Sequence, residues 1–124
     1  MSKKAKVSLN LPHKAPILFA REVLLKDENS ARVLVLFEEV PSLAMLIEAA
    51  AQSSAALGDG DLKMGFLVSL KNIKQTQEVF SKEFVISVVN KNDLGVMRAI
   101  YFEVFEKEVC VASGSLVIKL GDTA

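Results

Sequence analysis

The chain has 124 residues, of which 51% are hydrophobic and 24% charged, enough to fold as one domain over 1–124 with a real core and too apolar for disorder. Its 15 basic and 15 acidic side chains cancel, which excludes the electrostatic footprint of a nucleic-acid binder. A single cysteine, Cys110, excludes an internal disulfide and suits a reducing, cytoplasmic compartment. The basic start SKKAK leads into no signal-peptide core, and no apolar run reaches the roughly 20 residues that span a bilayer.

In chain order, LNLPHKAPIL holds two prolines and reads as a turn-rich entry segment. FAREVLLKDENSARVLVLF reads as two strands around the turn DENS. In the second of these, Ala31, Val33, Val35 and Phe37 alternate with Arg32, Leu34, Leu36 and Glu38; both sets are apolar enough to predict cover on both faces. VPSLAMLIEAAAQSSAALGDG then predicts a helix of roughly four turns, with Ser42 as N-cap and Gly58 as the stop. It is apolar on nearly all sides, so it should be surrounded by protein, with Glu48 and Gln52 as polar exceptions. Four strand-like runs follow: MGFLVSLKNIK, SKEFVISVVN, VMRAIYFEVFE and VCVASGSLVIKL, the last three forming an antiparallel meander with short turns at KNDLG and Lys107-Glu108. Gly114, inside the last run, predicts a bulge or the close approach of another backbone. Cys110 alternates within the same run and reads as a buried structural thiol.

Two strands, one apolar helix and four more strands predict an α+β domain in which an antiparallel sheet wraps one long central helix, the hotdog fold. So high an apolar content in so short a chain also suggests that a partner subunit covers part of its surface.

Glu48 and Gln52 are four residues apart and share a helix face. Glu48 is either the candidate catalytic residue or a partly exposed acid facing solvent, and Gln52 either orients its carboxylate or bonds to backbone. At the helix start, amides around Leu43 to Leu46 can donate to a ligand oxygen, and Ala44 and Met45 are the candidate substrate contacts there. His13 is a weaker candidate for acid–base work, sitting between Pro12 and Lys14 in the entry segment. GDGDLK lacks the lysine and hydroxyl placement of a phosphate loop, and Glu38 and Glu39 read as solvated acids. No histidine–cysteine cluster points to a metal, and no cofactor is expected.

Two segments resemble the β-hydroxyacyl-acyl carrier protein dehydratases. LPHKAPILFAREVL is similar to that family's opening L-P-H-R-x-P-F-L-L-x-D-R-V-L, and LIEAAAQSSAAL to its central-helix pattern I-E-A-x-A-Q. GFLVSLKNIK is similar to the strand after that helix. The resemblance implies a hotdog fold, a homodimer or higher homo-oligomer joined edge to edge, and an acyl thioester on acyl carrier protein or coenzyme A as ligand; a heterodimer is the other assembly considered. It places Glu48 on the family's catalytic helix carboxylate and Gln52 on the neighbouring glutamine. His13 falls on the entry motif, which does not supply the family's base. The family's histidine loop, G-H-F-P-G, has no counterpart: only FEEVPS separates strand from helix. The resemblance implies an acyl-thioester-binding protein that, if it is still catalytic, dehydrates 3-hydroxyacyl thioesters. The alternatives are an acyl thioesterase using the helix carboxylate, or a non-catalytic subunit that binds an acyl chain or its carrier protein. Neither nucleic acid nor membrane is expected as a partner.

Overall fold

The computed structural model describes residues 18–57 and 65–120. Strands β1 (Ala20–Lys26) and β2 (Ser30–Leu36) lead to helix α1 (Leu43–Ser53), and four strands follow: β3 (Gly65–Gln75), β4 (Glu83–Leu94), β5 (Met97–Glu106) and β6 (Val109–Leu120). They form one six-stranded sheet in the order β1-β2-β4-β5-β6-β3, with every neighbouring pair antiparallel.

The turns follow from their residues. In DENS, the Asp27 carboxylate accepts from the Asn29 amide at 3.1 Å, the Ser30 amide at 3.0 Å and the Ser30 hydroxyl at 2.8 Å, which closes the β1–β2 hairpin. The β4–β5 turn uses Gly95 at φ 74°, in the left-handed region that glycine enters without steric cost. Lys107, at φ 60°, makes the β5–β6 turn at the predicted place.

The core lies between α1 and one face of the sheet. On β2 that face carries Ala31, Val33 and Val35, all buried, while Leu34 and Leu36 on the other face are only half-buried. The expected cover on both faces is thus not found among the described residues, because the described helix lies on one side only. Phe84, Ile86 and Val88 on β4 and Ile100, Phe102 and Val104 on β5 continue the buried layer. Gly114 is set by close approach and not by a bulge. A Cβ added there would lie 3.2 Å from the Ile73 Cα and 3.2 Å from the Phe102 ring, and would overlap Ile73 Cδ1. The irregularity sits on the neighbouring strand, where β3 shifts register between Lys71 and Lys74 with Asn72 at φ 54°.

The helix is shorter than expected. Eleven α-helical residues are followed by one 3-10 turn, Ser54–Leu57. The tightening has a local cause: the Ser53 hydroxyl donates to the Ala49 carbonyl at 2.8 Å and the Ser54 hydroxyl to the Ala51 carbonyl at 2.6 Å, competing for the last-turn acceptors. Lys26 Nζ then reaches the Ala56 carbonyl at 2.9 Å, satisfying one of the orphan acceptors at the helix end. The expected stop at Gly58, the loop GDGDLK and the entry segment up to residue 17 lie outside the described residues. No described helix is long and apolar enough to cross a membrane.

Candidate functional site: the open face of the helix

Ser42 begins α1 as expected, its backbone extended and its hydroxyl accepting from the Met45 amide at 3.2 Å. The helical period then sorts the side chains onto two faces. Leu46, Ala49, Ala50 and Ser53 are buried against the sheet. Ala44 and Glu48, one turn apart, are exposed, and Met45, Ile47, Ala51 and Gln52 are half-buried beside them.

Glu48 is therefore not walled in within a single chain. The sheet covers only the side of the helix that packs on it, and the carboxylate stands on the other side, in line with Ala44. Of the amides at the helix start, that of Met45 is taken by the Ser42 hydroxyl and that of Leu46 by the Ser42 carbonyl at 3.0 Å. Among the described residues, the donors left for a ligand narrow from the expected Leu43–Leu46 to Leu43 and Ala44, in the first turn.

Gln52 has a different task. Its side-chain oxygen accepts from the Phe19 amide at 2.7 Å and the Ala20 amide at 3.2 Å, tying the helix to the chain that enters β1. The bond to backbone, one of the two readings open in the sequence, is present. Phe19 is buried and its ring lies 4.6 Å from that of Phe37, centroid to centroid, so this tie positions part of the core. His13 lies outside the described residues. Cys110 is half-buried, its thiol 3.5 Å from the Ala112 carbonyl. Glu38 and Glu39 are exposed. Among the described residues, no group of three or more His, Cys, Asp or Glu is placed to hold a metal ion.

Sequence reasoning missed the apolar flank of this site. Leu67 pairs with Ile118 and Leu70 with Leu116, so both leucines point to the same sheet face as those buried residues and as the helix. Leu67 is nevertheless 43% exposed and Leu70 44%, because β3 is an edge strand beyond which no described residue packs. Their three-residue spacing hides the alternation: β3 shifts register between Leu67 and Ser69, so period 2 is broken where the two leucines return to one face. The site is thus a helix stripe bearing Glu48, with open amides one turn earlier and the bare apolar side of β3 on the same face of the sheet.

The sequence matches no protein-family model and no curated protein. The structure does find relatives. An uncharacterized protein from Pyrococcus horikoshii superposes with a TM-score of 0.68 over 86% of each chain, at 14% sequence identity. A thioesterase from Haemophilus influenzae superposes with a TM-score of 0.59, covering 82% of this chain and 78% of its own, at 10% identity. A protein from Streptococcus mutans, solved with acetyl-CoA bound, reaches a TM-score of 0.67 over 90% of this chain and 95% of its own, at 8% identity. The fold is the hotdog. At these identities the likeness concerns the fold alone, and hotdog architecture with one sheet and one short helix is what the chain shares with them.

Proposed function

We propose that this hotdog protein binds acyl thioesters, in the first place acyl-coenzyme A, and hydrolyses them with Glu48 as general base. The observation that carries the proposal is the open helix stripe, which sets a carboxylate one turn beyond two unspent backbone amides. A thioester carbonyl seated over the first turn of α1 has its oxygen facing the amides of Leu43 and Ala44, donors that need no reorganisation as negative charge develops. The small side chain of Ala44 lets the carbonyl approach the backbone, and Met45 flanks it. Glu48 takes a proton from a water molecule, the hydroxide adds to the carbonyl carbon, the carbon–sulfur bond breaks, and the proton passes to the departing thiolate. The products are a carboxylic acid and a free thiol.

Two supports come from outside the site. A thioesterase and an acetyl-CoA complex stand among the fold's relatives. Dehydration of a 3-hydroxyacyl thioester, the activity that the I-E-A-x-A-Q resemblance implies, generally divides its proton transfers between a base and an acid. Hydrolysis by a helix carboxylate acting on water asks for one, and the strand-to-helix segment here supplies no histidine.

The same reading includes a homodimer. Strand β3 is an edge with Leu67, Val68 and Leu70 exposed, which invites pairing with the β3 of a second copy. That pairing shelters the leucines, gives the acyl chain an apolar wall and removes Glu48 from bulk water. Thiol release from acyl-coenzyme A and from acyl carrier protein, followed with a thiol trap, tests the proposal. Glu48→Gln is expected to lower turnover by about 10²–10⁴-fold. A wild-type protein that binds acyl-coenzyme A and frees no thiol would replace hydrolysis by binding alone.

A further inference from the structure

We propose that the face of the sheet opposite α1 is a docking surface for a second copy of this chain, the two sheets packing face to face about a two-fold axis parallel to the strands and centred on β4. This surface is separate from the Glu48 site and does not depend on its chemistry.

The strand register lays the face out in rows. One row runs Leu34 on β2, Val85 on β4, Phe105 on β5. The next runs Arg32 on β2, Ser87 on β4, Glu103 on β5. Residues directly opposite in a sheet project to the same side, and these alternate with the buried residues Val33, Ile86 and Val104, so all six project away from the helix. Arg32 is exposed and the other five are half-buried. The first row is apolar. In the second, Arg32 and Glu103 lie symmetrically on either side of β4, one strand away each, about 10 Å apart.

That symmetry selects the geometry. A two-fold axis along β4 exchanges β2 with β5, so Arg32 of one copy faces Glu103 of the other twice over, Leu34 faces Phe105 twice over, and Val85 meets itself. An axis in the same plane but across the strands would set Arg32 against Arg32 and Glu103 against Glu103. Charge complementarity thus favours one of the two ways to stack the sheets, and it is the aligned packing that sandwiches use.

The side chains are disposed accordingly. In the single chain the Arg32 guanidinium lies over the Phe105 ring, 5.1 Å from its centroid, and Glu103 accepts from the Tyr101 hydroxyl at 3.3 Å. On docking, Arg32 straightens towards the partner carboxylate and the Phe105 ring passes to the partner's Leu34. Farther out, Leu25 on β1 pairs with Arg32 and so belongs to the same row; it is 65% exposed, and the exchange of β1 with β6 places it over Ser113 of the second copy. Glu83 and Lys107, of opposite charge, line a shallow depression at the rim of the patch, beside Val85.

The test is the solution mass of the full chain by light scattering, for wild type, R32E, E103R and V85R, with circular dichroism to confirm that each is folded. Each variant is expected to lose this contact: a face-to-face dimer falls to the monomer, and where β3 edges also pair, the two offset axes build an open array that falls to the edge-paired dimer. R32E leaves only negative charge on the Arg32–Glu103 row and E103R only positive, so an equimolar mixture of these two is expected to regain the wild-type mass. A contact within one chain cannot be repaired by mixing. Variants that keep the wild-type mass, a mixture that stays at the reduced mass, or a monomeric wild type would each overturn the proposal.

Discussion

On the side of α1 that meets the sheet, Leu46, Ala49 and Ala50 have no exposed surface, whereas Ala44 and Glu48, on the other side, stand open to solvent. The two sides are built from nearly the same residue types, small and apolar. They differ in what lies across from them: a closed layer of valine, isoleucine and phenylalanine on one side, and on the other, among the described residues, no packed layer. A residue on the first side is held by packing, so its replacement acts on stability. A residue on the second side is free of that duty, so a carboxylate costs little there and its replacement should leave stability nearly unchanged.

The sharpest way to break this contrast is Glu48→Gln. The expected loss of turnover, about 10²–10⁴-fold, should come with a change in unfolding free energy of no more than about 0.5 kcal/mol, measured by urea titration. The converse variant is Leu46→Ala, two residues away and fully buried. Removing those buried methyl groups is expected to cost about 2–5 kcal/mol in the same titration, with activity per folded molecule far less affected than in Glu48→Gln. Ser42→Ala sits where the two sides meet, since its hydroxyl holds the Met45 amide at the helix start. About 1 kcal/mol of stability should be lost, and the newly freed amide should leave turnover within a few-fold of wild type.

The smallest effect lies far from the helix, at the β1–β2 turn. The Ser30 hydroxyl, with help from the Asn29 amide, holds the Asp27 carboxyl below its ordinary value of 3.8. A carboxylate lowered in the folded state adds stability above its unfolded pKa, and that stability is lost as pH falls through the folded value. Between about pH 5 and about pH 2.5, the urea midpoint of wild type should therefore fall slightly more than that of Asp27→Asn.

Much of this layout can be read from the residues themselves. The alternation of Phe84, Ile86 and Val88, the DENS turn, the Ser42 cap and the Lys107 turn are local signals, and each element stands where its signal puts it. What stayed hidden depends on partners distant in sequence. Nothing near Gln52 says that its oxygen will meet the Phe19 and Ala20 amides, more than 30 residues earlier. The length of the α-helix turned on serine hydroxyls bonding back to Ala49 and Ala51, a competition that hydrophobic periodicity does not register. The exposure of Glu48 matches the plainer of its two readings, an acid facing solvent, and departs from the walled pocket that the helix pattern implies. An all-round apolar helix implies cover on all sides, and the described residues supply cover on one. The sequence pattern describes an environment that a second copy at β3 would complete.

One measurement bears most directly on the role of Glu48: wild type and Glu48→Gln, each given a 3-hydroxyacyl-coenzyme A, with thiol release and the ultraviolet absorbance of a conjugated 2-enoyl thioester followed in the same cuvette. The expected result is Glu48-dependent thiol release with no rise in enoyl absorbance. Enoyl absorbance rising without thiol would contradict hydrolysis and restore the dehydration that the helix motif implies.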